Sequence, residues 1–318
     1  MRRPLIGITV ALPAAATALI AAQTEIVDVS AAPRPAWDAA LAPATGIVVN
    51  SVVPVDAALL SAAPQLGLVA SVSVGYDNVD LATLRARGIQ LTNTRGALDE
   101  AVADLTYALT IMAIRRLGRA LNWVRDGRWE NGDPPYGHDL DGATLGILGF
   151  GGIGPKLARR AQASGMRVIY ANRRPRDDDA QTGASYRPFR ALLAEADCVV
   201  ILVPLSDETR GLFDDAAFAV MKKDAVLVNA ARGSIVDAAA LQRALDGGAI
   251  GGAALDVTDP EPLPVGHPLL GRDDVIITPH VGSATVETRA RMAMRAAENV
   301  VAFVRGEPLP TPVNLDGA

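Results

Sequence analysis

Short apolar runs of strand length alternate along the chain with stretches of helical pattern. Residues 5–10, 26–29, 46–50, 68–71 and 90–92 read as strands. So do residues 144–148, 167–170, 198–203, 225–229, 252–256 and 275–278. Between them, helices are predicted over 13–22, 56–62, 101–116, 154–164, 214–220 and 238–246. Such alternation implies parallel sheets with helices on both faces. Strand clusters lie before and after the segment 101–119, which predicts two domains of this kind. The last long helical stretch, 286–305, has no strand after it and is expected to return to the first domain. The predicted fold class is therefore α/β, with two doubly wound, Rossmann-like parallel-sheet domains and a cleft between them. Residues 1–97 plus 286–318 form one domain, flavodoxin-like in kind, and residues 98–285 the other.

Composition supports this layout and narrows the chemistry. A length of 318 residues suits two domains, and half the chain is hydrophobic. Aromatic residues make up only 4%, so the core must be built from Ala, Val, Leu and Ile. Helices packed on buried parallel strands need such residues. Net charge is −5 and the pI near 5.3. That argues against a nucleic-acid partner, which needs a basic face to displace counterions from phosphates. A small anionic ligand needs only a local positive pocket. The one cysteine, Cys198, lies in an apolar run, so no disulfide within the chain and no thiolate metal site are expected. A reducing cytoplasm is the natural home of such a chain.

Three segments invite other readings. Arg2-Arg3 before an Ala-rich stretch resembles a secretory leader. That stretch divides instead into a strand, a helix opened by Pro13 and a second strand, the expected start of a doubly wound domain. No later stretch reaches the ~20 apolar residues of a membrane span. Arg176-Asp177-Asp178-Asp179 is expected to be a solvated loop rather than a metal site, since adjacent residues cannot converge on one ion unaided. Residues 131–141, with their Pro, Gly and Asp, read as a surface loop. His138 and His267 are expected in surface loops too.

The strand 144–148 runs into Gly149-Phe150-Gly151-Gly152-Ile153-Gly154 and then into a helix. This G-x-G-x-x-G stands in the context that gives it meaning, the first turn of a dinucleotide-binding unit. Gly149 permits the tight turn, Gly151 lets a pyrophosphate approach the backbone, and Gly154 lets the helix pack on the strand. The helix N-terminus then faces the phosphates, and Pro155 fits its first turn. The next strand ends in Ala171-Asn172-Arg173-Arg174. An acidic residue at this point would bind the adenosine ribose and repel a 2′-phosphate. A neutral Asn172 and two arginines favour NADP(H), although NAD(H) stays possible.

Three more motifs follow strands in the C-terminal half: Asn229-Ala230-Ala231-Arg232-Gly233, Asp256-Val257-Thr258-Asp259-Pro260-Glu261, and Thr278-Pro279-His280-Val281-Gly282. Ligands of open α/β sheets bind outside C-terminal strand ends, so all three can face one crevice. An arginine, a carboxylate and a histidine there could together hold an anionic ligand and pass a proton.

With the cofactor loop upstream, this ordered set resembles the D-isomer-specific 2-hydroxyacid dehydrogenase family. Its NADPH-dependent glyoxylate/hydroxypyruvate reductase branch is most similar, and hydroxyphenylpyruvate reductases have very similar motifs. The resemblance extends from about Asn50 onward; the first ~45 residues match only in pattern. It implies reduction of a 2-oxoacid with Arg232, Glu261 and His280 as the catalytic residues: His280 donating a proton to the carbonyl oxygen, Glu261 fixing the histidine tautomer and Arg232 holding the substrate. It also implies substrate-carboxylate binding through the backbone N–H groups of Val74 and Gly75, in Ser73-Val74-Gly75-Tyr76. Cofactor contacts are implied at Gly152, Ile153, Val203, Pro204, Thr209, Ala230, Ala231, His280 and Gly282, with Asp256 at the nicotinamide carboxamide. Asp104 matches a family Asp expected to be structural. A homodimer packed through the region 101–119 is implied as well. Substrate remains open among glyoxylate, hydroxypyruvate, 2-oxogluconate and aromatic pyruvates. A phosphoglycerate dehydrogenase, a formate dehydrogenase or a dinucleotide-sensing binding protein would share much of this pattern.

Overall fold

The computed structural model describes residues 3–177 and 179–315. Arg2 and Asp178, each part of a segment singled out above, lie outside the described residues. The chain divides into two compact units, Met1–Leu98 with Thr285–Ala318, and Asp99–Ala284.

The first unit holds five strands, β1 (Leu5–Ile8), β2 (Glu25–Asp28), β3 (Gly46–Val49), β4 (Leu68–Ser71) and β5 (Gln90–Thr92). All pair in parallel, in the order β2-β1-β3-β4-β5. This is the flavodoxin-like order. The continuous apolar runs have a simple cause: successive side chains go to opposite faces, and both faces are covered. Val48, Leu68 and Ala70 pack on one side with Ile20 of the helix Ala14–Ala21 and Ala293, Ala297 and Val300 of the helix Val286–Arg305. Ile47, Val49 and Val69 pack on the other with Leu59, Leu60 and Leu84. Side-chain caps start three helices: Asp56 accepts from the Leu59 N–H, Asp80 from Thr83 and Thr285 from Thr288. Asn299, fully buried on the last helix, holds Thr311, whose hydroxyl donates to the Asn93 carbonyl. The chain after the helix is thereby tied to the end of β5.

The second unit is a seven-stranded parallel sheet: β6 (Thr144–Leu148), β7 (Arg167–Ala171), β8 (Ser185–Tyr186), β9 (Cys198–Ile201), β10 (Val226–Asn229), β11 (Gly252–Leu255) and β12 (Val275–Ile277). The order is β12-β11-β10-β9-β6-β7-β8, which reverses between β6 and β9. That reversal is the topological switch point of a Rossmann sheet, where ligands bind at the carboxyl ends of strands. Two apolar clusters cover the two faces. Cys198 is buried in one of them, and burial pushes its thiol up to about 12, so it is a small core residue without thiolate reactivity at neutral pH.

A few elements differ from those expected. The helix expected over 101–116 spans Asp99–Ile114, Arg116 takes φ 52, and a second helix that had not been expected, Leu117–Arg125, follows. The two-residue β8 has no apolar run to betray it. The short helices Trp37–Leu41, Leu81–Arg87 and Phe189–Glu195 span too few turns to show a period. Among the described residues no helix is long and apolar enough to cross a membrane. None of the described residues form a cluster of His, Cys, Asp or Glu able to hold a metal ion.

Candidate active site

The glycine loop follows β6 at the switch point. Gly149 has φ 99, and a Cβ there would lie 2.6 Å from the backbone of Leu202 and Val203 at the end of β9. Only glycine fits both the conformation and the space. A Cβ on Gly154 would meet the Phe150 ring at 2.7 Å, so the helix Gly154–Ala163 starts close against the loop. Gly151 is exposed, and a Cβ there would meet nothing within 4 Å. The loop therefore has a tight inner side and an open outer one, as a backbone cradle for a pyrophosphate requires.

Asn172, one residue past β7, has a task that sequence did not disclose. Its Oδ1 accepts the Phe150 N–H at 2.7 Å. Arg176 donates from Nη1 to the Phe150 carbonyl at 3.0 Å, and its own N–H donates to the Tyr170 hydroxyl. The Phe150 ring stacks on Tyr170 with centroids 4.5 Å apart. The end of β7 thus braces the glycine loop. Arg173 and Arg174 are exposed beside it.

The helix after the loop is tied to Asp99–Ile114. Glu100 pairs with Lys156, Arg159 and Arg160, and Arg160 also pairs with Asp104. The Arg160 hydrogen bond is the largest cause holding the Glu100 carboxyl down to about 2; partial desolvation opposes it, and Lys156 adds to the lowering. Asp104 is thus a strut between helices. Thr209 closes the loop after β9: its hydroxyl accepts from the Ser206 N–H and donates to the Pro204 carbonyl, both at 2.8 Å.

The three later motifs meet at the neighbouring ends of β10, β11 and β12. Glu261 and His280 are joined directly, Oε1 to Nδ1, at 2.7 Å. The pair is partly open, with 42% and 39% of the respective side chains exposed. Glu261 Oε2 lies 3.4 Å from the Thr258 N–H. Arg232 donates from Nη1 to the Ala231 carbonyl at 2.8 Å, which turns the guanidinium back over its own loop. A Cβ on Gly233 would meet the Thr258 backbone at 2.0 Å, so the Arg232 loop presses on the loop carrying Glu261. His280 sits at φ 53, left-handed backbone that few non-glycine residues adopt. Asp256 is buried, and its carboxylate accepts from the N–H groups of Val281 and Gly282 and from the Thr278 hydroxyl. The sequence reading placed Asp256 on a cofactor carboxamide; the loop-holding bonds are a further task it did not foresee.

Val74 and Gly75 lie after β4 in the first unit. The Asn93 amide donates to the Val74 carbonyl at 3.1 Å, and the Ser73 hydroxyl to the Gly75 carbonyl at 2.6 Å. Ser71 backs Ser73 at 2.7 Å. The peptides of this turn are held by buried hydroxyl and amide groups. His138 and His267 do not join these groups. His138 is exposed, and His267 uses Nδ1 to cap a short 3-10 turn.

Residues 107–282, more than half of the chain, match the family profile described as "D-isomer specific 2-hydroxyacid dehydrogenase, NAD binding domain". The chain belongs to this family. As a D-2-hydroxyacid dehydrogenase family member it is an NAD(P)-dependent oxidoreductase, and its two parallel sheets match solved structures of the group. It is 47% identical over 252 residues to the glyoxylate reductase of Aeropyrum pernix, covering 77% of this chain and 75% of that protein. The crystal structure of a glyoxylate reductase from Paecilomyes thermophila superposes with a TM-score of 0.93 at 31% identity, covering 99% of this chain and all of that one. A Sinorhizobium meliloti NADPH-dependent glyoxylate/hydroxypyruvate reductase, solved with NADP and malonate, superposes at 0.87 with 34% identity, covering 98% and 97%. The open cradle at Gly151 and the forced glycine at 149 suit the nicotinamide dinucleotide that the family uses.

Proposed function

We propose that this dehydrogenase works as a reductase, converting a small 2-oxoacid such as glyoxylate or hydroxypyruvate to the D-2-hydroxyacid with NADPH. The observation that carries the reading is the Glu261–His280 contact of 2.7 Å at a Rossmann sheet's carboxyl edge. The reduced nicotinamide, when bound, supplies a hydride to the keto carbon. Negative charge then grows on the carbonyl oxygen, and His280 donates the Nε2 proton to it. Glu261 accepts from Nδ1–H, so the proton that leaves is the one on Nε2. Arg232 polarises the carbonyl and holds the carboxylate with its planar fork of donors. We assign the backbone N–H groups of Val74 and Gly75 to the same carboxylate. The first unit would therefore contribute backbone donors to the substrate, and the second would hold the cofactor and supply Arg232 and His280. Gly149, Gly151, Gly152, Ile153 and Gly154 would take the pyrophosphate. Val203, Pro204, Thr209, Ala230, Ala231, Asp256 and Gly282 would line the rest of the cofactor site.

NADPH is preferred over NADH in this reading because Asn172 carries no charge and Arg173 and Arg174 stand exposed beside it, suited to a 2′-phosphate. Asn172→Asp combined with Arg173→Ala shifts the ratio of kcat/KM values towards NADH. Aspartate can still accept the Phe150 N–H, so the glycine loop keeps its brace. An unchanged ratio would mean that the 2′-phosphate is read elsewhere. The function itself is tested by following NADPH and NADH oxidation against glyoxylate, hydroxypyruvate, 2-oxogluconate and an aromatic pyruvate. Turnover is expected, fastest with the two smallest. Cofactor binding with no turnover on any oxoacid would favour a dinucleotide-sensing protein instead.

A homodimer is part of the proposal. Leu117, Leu121 and Val124 repeat at the spacing of one helical face and are exposed, with Trp129 exposed close behind in sequence. A monomer by light scattering would remove it. One buried thiol and no disulfide suit a cytoplasmic site of action.

A further inference from the structure

Asn229 and Asp256 are the polar residues that end β10 and leave β11, and both are almost wholly buried, at 1% and 2% exposure. They are neighbours, since the Asp256 N–H donates to the Asn229 carbonyl at 2.9 Å. Each spends its side chain on one catalytic loop. The Asn229 amide donates to the Arg232 carbonyl at 2.8 Å and accepts from the Ala231 N–H at 3.0 Å, closing the turn that carries Arg232. The Asp256 carboxylate accepts from the Val281 and Gly282 N–H groups and the Thr278 hydroxyl, at 2.7–2.9 Å. Its backbone carbonyl also accepts the His280 N–H at 2.8 Å. His280 is thus gripped on both sides, in a left-handed conformation that persists only where the surroundings dictate it.

Burying an amide and a carboxylate is costly unless every polar atom is matched, and an apolar pair would fill the space at less cost. What this pair supplies is direction. We propose that Asn229 and Asp256 are positioning residues, Asn229 setting the Arg232 guanidinium and Asp256 the His280 imidazole, through the backbone of each loop. The idea rests on the reductase reading above, in which Arg232 holds the oxoacid and His280 protonates it. It goes beyond the cofactor contact expected of Asp256.

Two variants should fail differently. Asn229→Ala leaves the Arg232 carbonyl and the Ala231 N–H without their partner, so the arginine loop loosens. The KM for the oxoacid should rise, and kcat/KM should fall by about 10²-fold, the effect of a catalytic group displaced by roughly 1 Å. Asp256→Asn offers one oxygen where two accept now, so an amide NH2 must face a backbone N–H. Here kcat at saturating NADPH should fall by about 10²-fold with the oxoacid KM unchanged. NADPH affinity of Asn229→Ala, measured by fluorescence titration, should fall far less than kcat/KM does, although Ala231 of the same turn lines the cofactor site. If Asn229→Ala does not fold, Asn229→Asp, which keeps the acceptor and loses the donor, takes its place. Parent-like constants in a folded variant overturn the proposal. So does a parallel loss of NADPH affinity and activity in Asn229→Ala, which marks a purely structural role. Arg232→Ala and His280→Ala are assayed alongside. If those two turn over normally, the reductase reading has failed rather than the positioning of its residues.

Discussion

Replacing His280 with alanine lowers kcat for oxoacid reduction by about 10²–10⁴-fold, the usual range for removing a general acid. NADPH binding should survive, because the loop does not depend on the ring. The residue's backbone N–H still reaches the Asp256 carbonyl, and the Asp256 carboxylate still holds Val281 and Gly282. Glu261 loses its partner, but that carboxylate is 42% exposed and water can solvate it. The substrate-binding groups are untouched, so the oxoacid KM should move little. Glu261→Gln is the milder change. Glutamine can still accept from Nδ1–H, so the tautomer survives while the charge beside the imidazolium is lost, and kcat should fall less than in the alanine variant. Stopped-flow turnover with NADPH saturating separates these effects. Parent-like kcat in His280→Ala would show that the proton comes from elsewhere.

The second large effect belongs to Arg232. Arg232→Ala should reduce kcat/KM by about 10²–10³-fold, as the loss of a preorganised donor at a developing oxyanion does. In contrast to the histidine variant, the oxoacid KM should rise sharply, because the same guanidinium orients the carboxylate. Lysine should not rescue it, since an ammonium cannot reproduce a planar fork of donors. The fold should hold, because the bonds from Asn229 go to backbone atoms that an alanine keeps. Steady-state kinetics with a melting curve for each variant checks both statements. An unchanged oxoacid KM would remove Arg232 from the substrate site.

Much of this site is legible in sequence because each part follows a strand. The apolar runs that become β6, β10 and β11 are buried on both faces, and that of the edge strand β12 is partly so, which sets them off from the polar residues after them. Those polar residues, Arg232, Asp256 and His280, are the ones the sheet delivers to its carboxyl edge. The glycine at 149 is legible for the same reason, since its φ and its contact with β9 leave no alternative. What sequence could not convey is which polar atoms meet. Nothing in the spacing of Asn229 from Arg232, or of Asn172 from Phe150, says that the two amides close one loop and brace another. The helix Leu117–Arg125 escaped too, because it begins directly after Arg116, where only a positive φ separates it from the helix before. The two-residue β8 and the short helices Trp37–Leu41, Leu81–Arg87 and Phe189–Glu195 carry too little periodic signal to be read, and they owe their form to tertiary contacts.

Purified protein and NADPH are mixed with hydroxypyruvate, and the product is resolved on a chiral column. One D-glycerate is expected for each NADPH oxidised, with His280→Ala producing almost none in the same time. Formation of the L-isomer, or no oxidation of NADPH beyond a protein-free control, would contradict the reductase reading.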